Sequence, residues 1–153
     1  MSYHYSAARI AEIVNAPKCV RDAQELKIAS TAPNGAKFDA DLDLLDGPYT
    51  DLRFLGRAAR IDAPPTYDAS LLLDQQRIRG IGFAAVPRNN FRAKLRIPAG
   101  WHQNICNPNV ATNDPNWNRH ESLPNFCPTD FKDFVQKAAD LWKVDLGWEK
   151  GLF

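Results

Sequence analysis

Residues 92–127 read RAKLRIPAGWHQNICNPNVATNDPNWNRHESLPNFC. This stretch holds two of the chain's three histidines (His102, His120), two of its three cysteines (Cys106, Cys127) and two of its four tryptophans (Trp101, Trp117). Its reading decides the fold, because residues 98–128 carry no convincing apolar period and are rich in Asn, Pro and Trp. A structureless segment of about 30 residues is uncommon in a compact domain, and such segments are usually functional or disordered. The aromatics and prolines argue against disorder. The pattern therefore predicts a long ordered loop, preceded by a strand and followed by a helix.

The strand is expected over 91–97. Phe91, Ala93, Leu95 and Ile97 face one way, and Arg92, Lys94 and Arg96 face the other. The helix is expected to be capped by Thr129, to carry Asp130 in its first turn and to run to residue 143. Phe131, Phe134, Val135, Ala138, Leu141 and Trp142 form its apolar stripe. A short tail closes the chain through Trp148 and Phe153.

Towards the N-terminus, residues 6–16 read as a helix capped by Ser6 and closed by Pro17, with Ile10, Ile13 and Val14 on one face. Residues 17–25 are polar and read as irregular. Strands over 26–32 and 36–45 flank the turn signal Pro33-Asn34-Gly35. In the second of them Phe38, Ala40, Leu42 and Leu44 alternate with Lys37, Asp39, Asp41 and Asp43, giving one buried and one acidic face. Further strands follow over 52–61, 69–73 and 77–83, the last two joined by a turn at 74–76. Gly80-Ile81-Gly82 does not open a helix and is expected to relax its strand or make a bulge.

The sum is one α+β domain over residues 1–153. Its antiparallel sheet has about six strands in a meander, flanked by an N-terminal helix and a C-terminal amphipathic helix. At 153 residues the chain is long enough for a proper core. The net charge of +1 argues neither for nor against nucleic acid, but the charge is unevenly placed. Residues 53–96 hold nine basic and three acidic side chains, and both flanking segments are net acidic. Three scattered cysteines make a poor disulfide framework, and no basic-then-apolar leader or spanning apolar run is visible. The expectation is a cytoplasmic protein.

Four readings of the 92–127 stretch remain open. His102, Cys106, His120 and Cys127 are four ligands that suit tetrahedral zinc, although their spacing is not a standard one. His102 and His120 could instead serve as general base and acid in phosphodiester chemistry, with Arg92, Lys94 and Arg96 stabilising charge. In that case Asn104 or Asn107 would orient the ligand and Trp101 or Trp117 would stack on a base of a bound nucleic acid. A third reading is a non-catalytic module that binds a protein partner through exposed tryptophan and arginine.

The fourth comes from a resemblance. The order of N-terminal helix, strand meander, long loop and helix is similar to that of ubiquitin-conjugating enzymes. Asn107-Pro108-Asn109 resembles their His-Pro-Asn motif, with Asn107 in place of the histidine, and Asp46-Gly47-Pro48 resembles another of their turns. The resemblance implies a cysteine nucleophile, Cys127 or Cys106. Cys127 stands two residues before the expected helix cap, where the helix N-terminus would favour a thiolate. The Asp39, Asp41, Asp43 row is expected to be a solvated face rather than a cation site.

Overall fold

A computed structural model describes residues 5–46, 50–90, 95–97, 99–108, 110, 111, 114 and 117–148, with 88–90 and 95–97 described by their backbone. The first apolar period forms helix α1, Ala7–Asn15, whose buried stripe is Ile10, Ile13 and Val14. Ser6 caps it, accepting from the Arg9 N–H at 3.1 Å. Helix α2 is Phe131–Leu141, ending two residues earlier than expected, and its cap is Asp130 rather than Thr129. Of the expected stripe, Phe131, Phe134, Val135, Ala138 and Trp142 are buried, and Leu141 is half-buried against the core.

Eleven strands are described: β1 Lys18–Val20, β2 Ala29–Thr31, β3 Gly35–Leu44, β4 Leu52–Ala58, β5 Tyr67–Leu73, β6 Gln76–Ala84, β7 Arg88–Asn90, β8 Leu95–Ile97, β9 Gly100–Cys106, β10 Asn118–Ser122 and β11 Val144–Asp145. Nine of them make one sheet in the order β10-β9-β6-β5-β4-β3-β1-β11, with β2 also paired to β3. All pairings are antiparallel except β1 with β11. The centre is a meander, as expected. Asp74 and Gln75 make the β5–β6 turn, both at positive φ, as a tight two-residue hairpin turn requires.

The sheet has nine strands instead of about six for three reasons. The expected long loop contains β9 and β10, which pair with each other and extend the main sheet from β6. The alternation of β9 is hidden because Gln103 occupies a core-facing position between Trp101 and Ile105. It stays there because the buried Trp142 indole N–H donates to its Oε1 at 2.9 Å. The short strands β1 and β11 lie in stretches that read as polar or as tail, and their mutual pairing defines them. The expected strand over 91–97 is corrected as well: β8 pairs with β7 in a separate two-stranded ribbon, and residues 91–94 lie outside the described residues.

The core fills one side of the main sheet. Phe38, Phe54, Tyr67, Phe131, Phe134 and Trp142 are its large residues, joined by the stripe of α1. Burying each such side chain contributes roughly 1.5–3 kcal/mol. Phe38 and Phe54 are 4.7 Å apart between ring centroids, and Phe54 meets Trp142 edge-on at 5.9 Å. Trp148 donates from its indole to the Leu26 carbonyl at 2.9 Å, so the expected tail packing is present; Phe153 lies outside the described residues. Among the described residues no helix is long and apolar enough to cross a membrane.

Candidate functional site

The other side of the sheet carries a groove, and residues that alternate with the core line it. Asp39, Leu55, Ser70, Gly80, Asn104 and His120 stand side by side across β3, β4, β5, β6, β9 and β10. In the next row Lys37, Arg57 and Asp68 align across β3–β5, and Gly82, His102 and Ser122 align across β6, β9 and β10. Gly80 and Gly82 bring no side chains to the middle of this face. The result is a groove of about 750 Å³ that runs from Lys27 and Lys37 to His102 and Asn104.

Its charge is lopsided. Lys27, Lys37, Arg57 and Arg77 line it, against Asp39 and Asp68. Asp39 is ion-paired to Arg53. Asp68 is ion-paired to Arg57 at 3.4 Å. Burial raises the Asp68 carboxyl, and the Arg57 and Arg77 guanidiniums pull the other way. Lys37 and Arg57 are direct cross-strand neighbours of like charge, and Asp68, opposite Arg57 on the next strand, offsets part of their repulsion. Arg77 bends back over the first glycine of the floor: its Nη1 lies 3.3 Å from where a Cβ on Gly80 would stand.

The two histidines meet. Their ring centroids are 5.3 Å apart with the planes at 60°. They are diagonal neighbours on one face, since His102 opposes Ser122 and His120 opposes Asn104. His102 lines the groove, and its Nε2 lies 3.7 Å from where a Cβ on Gly82 would stand. Its Nδ1 faces the Gly100 carbonyl at 3.5 Å. Both ring nitrogens of His120 are shielded from solvent, so it stands behind His102. Asn104 also lines the groove, and its buried Oδ1 has no hydrogen-bond partner among the described residues.

No family model, curated protein or solved structure matches this chain. The chemistry of the groove must therefore be read from its own residues.

The remaining expected site residues scatter. Trp101 precedes His102 on β9 and points to the opposite face, where it packs on Phe83, Phe126 and Phe134 at 5.3–5.5 Å. It is a core residue. The zinc set is not assembled: among the described residues no group of three or more His, Cys, Asp or Glu is placed to hold a metal. Cys106 lies at the far end of β9 and donates to Asn118 Oδ1 at 3.6 Å. Burial raises its thiol, against the opposing pull of Arg77 and Arg79. Cys127 is exposed on the segment before α2. The N-terminus of α2 is already served by carboxylates, because Asp130 accepts from the Asp133 N–H at 2.8 Å and Asp133 accepts from the Thr129 N–H at 2.9 Å. Asn107 donates its N–H to the Trp117 carbonyl at 3.1 Å, closing the open end of the β9–β10 hairpin. Arg92 and Lys94 lie outside the described residues, as does the side chain of Arg96.

Three of the basic groups that line the groove, Lys37, Arg57 and Arg77, escape a sequence reading. Each sits on an outward position of its own strand, which alternation can show. Their convergence depends on the register between strands, which alternation cannot show. The acidic row of β3 is balanced locally: Asp39 by Arg53, and Asp41 and Asp43 by Arg21.

Proposed function

We propose that the groove binds a phosphorylated ligand, with His102 in reach of the phosphate and His120 supporting it. The observation that carries this reading is the excess of four cations over two carboxylates around a floor opened by Gly80 and Gly82. Guanidinium and ammonium groups converging on one trough match phosphate oxygens, and arginine adds a planar fork. Asn104 supplies a polar side chain at the same place. A histidine beside a bound phosphodiester can move a proton at the attacking or leaving oxygen, and Arg77 can stabilise the charge that builds in the transition state.

The test is calorimetric titration with inorganic pyrophosphate at several salt concentrations. The reading expects saturable binding that weakens as salt rises. Arg77→Ser and Lys37→Ser should each weaken it about ten-fold, the loss of one charge-assisted contact. Absence of binding at millimolar pyrophosphate in low salt overturns it.

A further inference from the structure

A second cavity of about 400 Å³ adjoins the groove, and Arg77 lines both. Its other walls are Gln76, Cys106, Pro108, Trp117 and Asn118. We infer that this cavity holds the base of a nucleoside phosphate whose phosphate lies in the groove. The inference rests on the groove reading above and assigns it a ligand class.

The two cavities differ in chemistry. The groove is crowded with charge, whereas among the described residues the second cavity has no charged wall but Arg77 itself. Burial raises the Cys106 thiol, which keeps that wall uncharged. A ligand spanning both must therefore be anionic at one end and uncharged at the other. Trp117 offers a flat aromatic surface, on which a base of any identity can stack. Gln76 and Asn118 each offer an amide with donors and an acceptor, suited to the polar edge of a base. Arg77 stands at the junction, where a guanidinium can meet the phosphate on one side and the ring face on the other. Backbone pairing fixes the far wall: Asn118 opposes Cys106 in the β9–β10 ladder, and the Trp117 carbonyl accepts the Asn107 N–H. Trp117 is half-buried and is not part of the hydrophobic core cluster.

The experiment compares binding of adenosine and uridine monophosphates, ribose 5-phosphate and inorganic phosphate to the native chain and to Trp117→Ala. Melting curves check that the variant is folded. The inference expects the nucleoside monophosphates to bind about ten-fold or more tightly than ribose 5-phosphate, with the difference lost in Trp117→Ala. Equal affinity for all sugar phosphates in both proteins overturns the base site and leaves the groove reading standing. Failure of every phosphate to bind overturns both. A single-stranded oligonucleotide is run alongside. Oligonucleotide binding about ten-fold tighter than the mononucleotide, and again dependent on Trp117, assigns the site to a strand. Equal binding assigns it to a free nucleotide. Gln76→Leu, at an exposed position, is the second variant and should lower nucleotide affinity without changing that of inorganic phosphate.

Discussion

Gln103 on β9 accepts the indole N–H of Trp142, just past the end of α2, at 2.9 Å, and both side chains are buried. This one bond ties the strand that carries the groove to the helix that carries the core. His102 and Asn104 flank Gln103, so anchoring it to the core side aims them at the open face. Gln103→Leu would make β9 more apolar and yet should destabilise the fold by about 1–3 kcal/mol, because it strands a buried N–H. Urea unfolding checks this. The double variant with Trp142→Phe should cost less than the sum of the singles, since the pair shares one interaction.

Lys18 joins the two helices. Its ammonium donates to the Val14 and Ala16 carbonyls at the end of α1 and to the Trp142 carbonyl beyond α2, at 2.7, 2.8 and 2.7 Å. Burial, with the charges of Arg79 and Lys143, pulls it down to about 7. The three carbonyls act the other way, because an ammonium has three N–H groups to give and an amine two. Lys18→Met should cost about 2–4 kcal/mol in chemical denaturation by leaving those carbonyls without their donor.

Two glycines, one on β4 and one on β6, should respond differently to alanine. A Cβ on Gly56 would stand 2.3 Å from the Asp68 carbonyl oxygen and 2.8 Å from the Phe38 ring. Gly56→Ala should therefore destabilise the fold by about 1–3 kcal/mol through overpacking. A Cβ on Gly82 meets His102 at 3.7 Å, an ordinary contact. Gly82→Ala should leave the melting temperature nearly unchanged and weaken pyrophosphate binding, because the methyl rises from the groove floor. Melting curves and calorimetry on the two variants separate the effects.

Asp133 contributes an acid limb to stability. Burial pushes its carboxyl up, but the Thr129 N–H, Lys137 and the Thr129 hydroxyl outweigh that and hold it below the usual 3.8. A folded value below the unfolded one means that the native state binds fewer protons. The stabilisation is thus present above 3.8 and is lost as pH falls through the folded value. Asp133→Asn should cost about 0.5–1 kcal/mol at neutral pH and flatten the acid limb of a stability–pH curve.

The helices and the central meander are legible in the sequence because each carries a clean period: Ile10, Ile13 and Val14 at helical spacing, and Phe38 to Leu44 in strict alternation. The hairpin of β9 and β10 is not legible. Its open face carries His102, Asn104 and His120, and its core face carries Gln103, so neither face shows an apolar row. The polar residues that hid these strands include those that line the groove. The approach of His102 to His120 rests on strand pairing rather than sequence distance. The same holds for the convergence of Lys37, Arg57 and Arg77, which lie on three strands and approach only once the register is set.

The measurement that tests the central claim most directly is amide chemical-shift mapping during a pyrophosphate titration. The account predicts that the largest shifts fall on Ser70, Gly80, Gly82, His102 and Asn104, whose strands form the groove, while the amides of α1 stay still. Shifts confined to residues away from that face, or none at all, would contradict it.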